Sequence, residues 1–460
     1  MRPVCAVDPE DPVIPPSWRV GEVAVIGLGR SGAAASRWLV AHGVRVYASD
    51  ASDSASLRAT AQALGPLGVH TDVGRHDLDR VARAAAVIAS PGVPPDAAPL
   101  AAARDAGVTI RSELDLAAAA LSDATLIVVT GTNGKSTTTA LVAHLLSCAG
   151  MPAVAAGNIG RPLIDVALDP VPPRWLAVEA SSFQLHDSPG LAPAVGVLTN
   201  LAPDHLDRYQ TLEAYYADKR QLFRNATAST TWVLNGDDAP VIELARGVPG
   251  LQRTWRQGHP ADAWFDTVAN RFMLGDDVLG SRDLLPLLGA HNVDNALAAV
   301  LAVVAVGAPA ATLSEHLATF RALPHRLEPV ADIDGVLWIN DSKATSPAST
   351  RVAIRSMTRP YVLLLGGRPK VTSFADLAPD IGPSCRAVVT FGEAAGVIAH
   401  GLQDAVRVVR VGSMGDAIAT ARTLVQPGDV VLLSPACTSF DAFADFEDRG
   451  DTFRRLVTEA

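Results

Sequence analysis

Residues 125–137 read TLIVVTGTNGKST. A run of apolar and β-branched residues goes directly into glycine, and a helix-like stretch follows Gly134 and ends near Gly150. A short, continuously apolar run closed by turn residues is the pattern of a strand buried on both faces. Strand, glycine loop and helix in that order make a phosphate cradle. Backbone N–H groups of the loop can wrap a triphosphate, Lys135 can reach the β- and γ-phosphates, and the Ser136 hydroxyl can bind Mg²⁺. The standard loop of this type has a glycine five residues before Gly134. Val129 stands there, so this is a variant loop.

The same alternation extends in both directions. EVAVIG, VRVYASD and AVIASPG precede the loop, with Ala-rich helical stretches between them; WLAVEASS and VGVLTN follow it, and later come VLWIND, YVLLLGG, AVVTFG and DVVLLSP. Buried strands alternating with helices predict parallel sheets covered on both faces. In such sheets ligands bind at the carboxyl ends of the strands, so the loops after these runs are the candidates for chemistry. The first of them, Gly27-Leu28-Gly29-Arg30-Ser31-Gly32, matches G-x-G-x-x-G and suits a diphosphate; Asp50 ends the next strand, where an acid can bind a ribose. The motif does not choose between a dinucleotide and a UDP-sugar.

Other loops carry polar clusters. Glu179 ends WLAVE and is followed by Ser181, while His205 lies in NLAPDHLDRY. Oxygen ligands suit Mg²⁺, so Glu179 and Ser136 fit it better than His205. Lys219, in LEAYYADKRQLF, reads by itself as a lysine on the solvated face of an amphipathic helix. Towards the C-terminus come His291-Asn292 with Asn295, His325-Arg326, Asn340-Asp341-Ser342-Lys343-Ala344-Thr345, Lys370, and Ser434 through Ser439.

Over 460 residues, 48% hydrophobic and 19% charged content excludes a disordered chain and implies several domains. A formal net charge of -10 with no long basic run argues against a nucleic-acid partner. The most apolar stretch, 296–311, contains Gly307 and Pro309 and is too short to span a bilayer, so it reads as a buried helix with a Gly-Pro stop and no membrane partner is expected. The N-terminus has no apolar core of the signal-peptide kind and reads as a loose, Pro-rich extension. Four widely spaced cysteines (Cys5, Cys148, Cys385, Cys437) read as reduced thiols in a cytoplasmic protein.

The stretches VIGLGRSG, VVTGTNGKSTTT, GNIG, EASSFQL, NLAPDHLDRY, HNVDNALAA, LPHRLE, INDSKATSP, LLLGG and LLSPACTSFDAFADFEDRG run in this order over nearly the whole chain. Together they resemble the Mur ligase family. That resemblance implies an α/β protein of three domains: an N-terminal Rossmann-like domain (21–115, after an extension over 1–20) for a UDP-substrate, a central P-loop ATPase-like parallel sheet (116–322), and a C-terminal Rossmann-like domain (323–460) for an amino acid. It implies ATP-dependent amide formation in peptidoglycan precursor synthesis. The carboxylate of UDP-MurNAc-L-Ala becomes an acyl phosphate, which the amine of D-glutamate attacks.

Site residues follow from the same likeness. Gly131, Thr132, Asn133, Gly134, Lys135, Ser136, Thr137, Asn295, His325, Arg326, Asp341 and Lys343 fall where the family contacts ATP. Gly29, Arg30, Ser31, Asp50, Ser90, Gly92, Asn158 and Ser181 fall at the UDP-substrate, and Thr345, Lys370, Ser439, Phe440 and Phe446 at glutamate. Two Mg²⁺ sites are implied, with Ser136 and Glu179 at one, His205 at the other, and Lys219 as a carbamate supporting the second; Lys135, Glu179, His205 and Lys219 form the catalytic set. A monomer is expected. The chain departs from the family at Ala51-Ser52, where relatives often place Thr-Arg, at Ala202 for a frequent Thr, and at Arg368-Pro369 before Lys370. The alternatives are a related ligase using another amino acid, such as L-glutamate, and an NAD(P)-dependent oxidoreductase resting on GLGRSG and Asp50 alone.

Overall fold

The structure, a computed structural model, describes residues 13–204 and 208–459. Its strands form three sheets. The first contains β1 (Glu22–Ile26), β2 (Arg45–Asp50), β3 (His70–Val73), β4 (Ala86–Ala89) and β5 (Ile110–Ser112), in the order β3-β2-β1-β4-β5 and parallel throughout. The order reverses between β1 and β4. The loops after these two strands, GLGRSG and SPG, therefore flank the crevice where such sheets bind ligands.

The second sheet holds β6 (Thr125–Thr130), β7 (Ala153–Gly157), β8 (Trp175–Glu179), β9 (Val195–Leu198), β10 (Thr231–Asn235), β11 (Leu251–Gln257), β12 (Ala263–Asp266), β13 (Arg271–Leu274) and β14 (Asp277–Ser281). Their order is β14-β13-β12-β11-β10-β9-β6-β8-β7. β6 lies between β9 and β8, so the loop 131–134 leaves the sheet at its own reversal point. The third sheet holds β15 (Glu328–Ile333), β16 (Val336–Asn340), β17 (Tyr361–Gly366), β18 (Cys385–Phe391), β19 (Val408–Arg410) and β20 (Val430–Leu433), ordered β15-β16-β20-β17-β18-β19.

The ten apolar runs named from sequence all lie on strands of these sheets. The expectation of parallel sheets needs two corrections, because β12, β13 and β14 pair antiparallel and so do β15 and β16. Their connections are tight turns with no room for a crossover helix. β15 and β16 are joined by Asp334-Gly335, both left-handed (φ 53 and 78), the backbone of a two-residue hairpin turn. The apolar stretch near 296 is the helix His291–Ala305, closed by Gly307 (φ 93) as predicted.

The N-terminal extension, expected to be loose, is anchored over its described part. Ile14 and Trp18 are 2% and 4% exposed and join the core of the first sheet, and the Arg111 guanidinium lies over the Trp18 ring. Cys148, Cys385 and Cys437 are free thiols; Cys5 lies outside the described residues. Among the described residues no helix is long and apolar enough to cross a membrane.

Two compact units result. The chain up to Leu284, with Val293–Ala318, forms one; Leu285–Asn292 and Thr319 onward form the other. Within the first unit, the end of the first sheet is bonded to the second sheet's helices. Ser112 N donates to Asp187 O at 2.6 Å, Asp115 accepts from Gly190 N at 2.6 Å, and Glu113 Oε1 accepts from Ile164 N at 2.6 Å. Glu113 is 1% exposed, its Oε2 has no partner among the described residues, and burial pushes its carboxyl up to about 7.

An acid whose folded value is raised binds more protons folded than unfolded between the two values. Stability must fall as pH rises from about 4.5 towards 7, by up to roughly 3 kcal/mol for this group. Glu113→Gln is expected to flatten that part of the pH dependence. Denaturant midpoints of both proteins at pH values across this window check it, and parallel curves would remove Glu113 as the source.

Candidate active site

The loop after β6 is held from three sides. Gly131 (φ 139) and Gly134 (φ 83) take the left-handed backbone that bends the chain into the helix Lys135–Cys148. From the end of β9, Thr199 Oγ1 donates to Asn133 O at 2.6 Å. Asn200 and Asn133 exchange two bonds: Asn133 N donates to Asn200 Oδ1 (2.9 Å) and Asn200 Nδ2 to Asn133 O (3.0 Å). Asn295, from the helix 291–305, accepts from Thr138 Oγ1 at 3.2 Å, and its Oδ1 lies 2.3 Å from where a Cβ on Gly134 would stand. The loop residues Gly131–Gly134, Lys135 and Asn295 are thus brought together in one place. Ser136, 3% exposed, and Thr137 lie in the first turn of the helix. Thr199 and Asn200 were missed; they follow an apolar strand, and nothing in LTNL marks them as loop supports.

Two lysines converge on one carbonyl. Lys135 Nζ donates to Gly131 O (3.0 Å) and Thr132 O (2.8 Å), and Lys219 Nζ donates to Gly131 O at 2.7 Å. The solvated-face reading of Lys219 is wrong: on the helix Leu212–Arg220 it is 1% exposed and lies over the Tyr215 ring. Burial first, then the Lys135 ammonium, pushes the Lys219 amine well below a lysine's usual value; Asp204, Asp218 and Glu179 oppose this.

Glu179, at the end of β8, pairs in register with Val129 of β6, two residues before Gly131. Its Oε1 accepts from Asn158 Nδ2 at 3.0 Å, while the buried Oε2 has no partner among the described residues. A buried, half-satisfied carboxylate beside a phosphate loop fits a cation ligand. Among the described residues no three His, Cys, Asp or Glu side chains are grouped to hold a metal; His205 lies outside the described residues.

The crevice of the first sheet is a cavity of about 550 Å³. It is lined by Gly29, Arg30, Ser31, Asp50, Ser90 and Gly92 and, from the second sheet's side, by Asn158. Asp50 steadies the glycine loop, accepting from Leu28 N at 2.8 Å and from Ser52 N at 2.9 Å. Ala51 and Ser52, the departures from the family pattern, also line the cavity. So does His76, which no sequence signal marked; its Nδ1 bonds to Ser49 Oγ at 2.8 Å, and burial lowers its pKa. Ser181 does not line this cavity. Its hydroxyl caps the helix Ser182–His186 in a capping box with Gln184.

In the second unit, His325 and Leu327 are left-handed (φ 62 and 42), which costs a non-glycine residue about 1 kcal/mol or more. Asn340 holds the turn: its Nδ2 donates to Glu328 Oε2 (3.1 Å) and Gly450 O (3.2 Å) and lies 3.0 Å from His325 Nδ1. Burial lowers the pKa of the His325 ring. Asp341 accepts from Leu327 N (3.2 Å) and Ser434 Oγ (2.8 Å), and burial raises its carboxyl to about 7. Both of its oxygens face protein, so its place is beneath the turn that presents His325 and Arg326. The Lys343 ammonium lies over the Phe446 ring, and His325 meets that ring edge-on.

The glutamate set follows the same strand ends. Thr345 N donates to Lys343 O at 2.9 Å, Lys370 is exposed after β17, Ser439 is 2% exposed after β20, and Phe440 is exposed beside it. Arg368 pairs with Thr438 as an isolated bridge and with Glu393 at 2.9 Å, so this departure joins the loops after β17, β18 and β20.

Comparison with known proteins gives these sites a context. Residues 21–112 match the description "Mur ligase MurD-like, N-terminal domain", 129–303 "Mur ligase middle domain", and 325–437 "Mur ligase, glutamate ligase domain". A protein of Gloeobacter violaceus is 41% identical over 95% of this chain and 98% of its own length, and one of Myxococcus xanthus is 40% identical over 95% and 98%. Both are named UDP-N-acetylmuramoylalanine–D-glutamate ligase. Among solved structures, a UDP-N-acetylmuramate–alanine ligase from Thermotoga maritima shares the fold at a TM-score of 0.62 and 21% identity, over 95% of this chain and 99% of that one.

Proposed function

The chain belongs to the Mur ligase family, and we propose that it joins D-glutamate to the L-alanyl carboxylate of UDP-MurNAc-L-Ala, driven by ATP, in peptidoglycan precursor synthesis. The observation that carries this is identity near 40% over 95% of the chain with ligases of that name. An oxidoreductase would leave the loop 131–137, Glu179 and the C-terminal motifs without a role.

A carboxylate is a poor electrophile. Transfer of the γ-phosphoryl group to its oxygen, with ADP leaving, supplies a leaving group. The glutamate amine then adds to the acyl carbon, and phosphate departs from the tetrahedral adduct as the amine loses its proton. Two anions must meet in the first step, so positive charge has to be fixed around them. Loop N–H groups from Gly131 to Gly134 hold the phosphates, and Lys135 offsets the β/γ charge. Ser136 and Glu179 hold one Mg²⁺. His205 and Lys219, as a carbamate, hold a second. When bound, the metals polarise the phosphoryl oxygens. The cavity around Gly29, Asp50 and Asn158 takes the UDP end. His325, Arg326 and Lys343 serve ATP, and Lys370 and Ser439 serve the glutamate carboxylates as charge-assisted donors.

Phosphate release from ATP with UDP-MurNAc-L-Ala, compared for D-glutamate, L-glutamate and no amino acid, tests the assignment. Release that depends on D-glutamate is expected. Preference for L-glutamate would keep the ligase chemistry and overturn the stereochemistry; tight NADH binding without release would favour the oxidoreductase. Lys370→Ala is expected to raise the KM for glutamate by roughly tenfold or more while moving that for ATP little. A rise confined to ATP would displace the pocket.

A further inference from the structure

One buried cation in the second unit takes no part in that chemistry. Arg449, on the helix Phe446–Thr458, is 0% exposed; among the described residues it makes no ion pair, and the Asp441 carboxylate acts on it only from farther off. Among the described residues its acceptors are oxygens at three strand ends. Nε donates to Ser342 Oγ (3.0 Å) and Nη2 to Ser342 O (2.8 Å); Nη1 donates to Cys437 O (3.0 Å) and Gly366 O (3.4 Å). Ser342 Oγ in turn donates to Phe446 O at 2.8 Å.

Burying a guanidinium without a direct ion pair is costly, and an apolar side chain would fill the space more cheaply. The compensation lies in where the four bonds go. Ser342 stands between Asp341 and Lys343, Gly366 begins the turn that leads to Lys370, and Cys437 lies two residues before Ser439. These are the loops after β16, β17 and β20. A flat fork with five N–H donors can hold three strand ends at fixed spacing; a lysine ammonium cannot copy that geometry. The fit is close. A Cβ on Gly367 would stand 2.9 Å from Arg449 Nη1, and one on the adjacent Gly450 would stand 2.1 Å from His325 Nδ1.

We infer that Arg449 is a positioning residue that locks the loops bearing Thr345, Lys370 and Ser439 into one register and so sets affinity for the incoming amino acid. The inference rests on the proposed ligase activity.

The test uses the full-length enzyme with ATP, UDP-MurNAc-L-Ala and D-glutamate. Wild-type protein must first show glutamate-dependent phosphate release; if it does not, the functional reading fails before Arg449 is examined. Arg449→Lys is expected to raise the KM for D-glutamate about tenfold and to leave that for UDP-MurNAc-L-Ala within about twofold. Arg449→Ala should lose most glutamate-dependent release and recover part of it with added guanidinium ion at non-denaturing concentration, which wild type should not gain from. A merely structural role would lower the melting temperature and the active fraction, leave both KM values in place, and give no rescue; that pattern overturns the inference. Should neither variant fold, Ser342→Ala decides: it removes one acceptor of the fork, so a selective rise in the glutamate KM supports the role and unchanged constants overturn it.

Discussion

Lys135→Ala should abolish ATP-dependent turnover, by roughly a thousandfold or more, while binding of UDP-MurNAc-L-Ala changes by no more than about twofold. The asymmetry comes from position. Lys135 is the first helical residue after the loop 131–134, and its ammonium lies against the carbonyls of Gly131 and Thr132, where it can turn towards the β- and γ-phosphates. The cavity proposed for the UDP end is built on other loops, chiefly after β1 and β4, and Lys135 is not among its lining residues. Phosphate release measured beside calorimetric titration of the UDP-substrate separates the two effects. Near-normal turnover in a folded Lys135→Ala protein would remove the ATP assignment. Equal loss of both would point to collapse of the first unit.

Lys219→Ala should be nearly inactive and partly restored by a small carboxylate such as acetate, whereas Lys219→Arg should not be restored. An unmodified ammonium would repel a cation beside Glu179. A carbamate would replace it with an anion bearing oxygen ligands. The amine must be neutral to add to CO₂, and both causes that lower its pKa are built in: it is buried, and it shares the Gly131 carbonyl with Lys135. Isotopically labelled bicarbonate gives a second readout, a carbamate resonance in the wild type that is missing from Lys219→Ala. Full activity in Lys219→Ala, or wild-type enzyme without that resonance, would overturn the modification.

What could be read from sequence followed the strength of the local signal. Doubly buried strands such as TLIVV and YVLLLG need continuous apolar runs, so they announced themselves and their loops with them. The strands β12 to β14, at one end of their sheet, are only partly buried, and their weak alternation gave no comparable mark. The Asp334-Gly335 turn was a legible hairpin signal that went unread. Burial of charge was not legible at all. Lys219 and Arg449 sit in polar helical stretches, LEAYYADKR and FEDRGDTFRR, whose pattern suits a solvent face; only the tertiary partners, Gly131 O for one and three loop carbonyls for the other, put them inside. His76 and Asn200 were invisible for a related reason, since a single polar side chain after a strand is usually just a turn.

The second unit is discontinuous in sequence, and that limits how the protein can be cut. Leu285–Asn292 belongs to it although the chain returns to the first unit for Val293–Ala318. Leu288 packs on the core beneath β17, and Gly289, left-handed at φ 88, comes so near Ser356 that a Cβ there would lie 2.4 Å from its hydroxyl. A fragment beginning at Thr319 would lack this segment and expose the apolar surface it covers. A soluble excised version has to graft 285–292 back, through a designed linker ahead of Thr319. Domain-exchange chimeras between related ligases face the same rule, because one crossover point cannot transfer the unit whole.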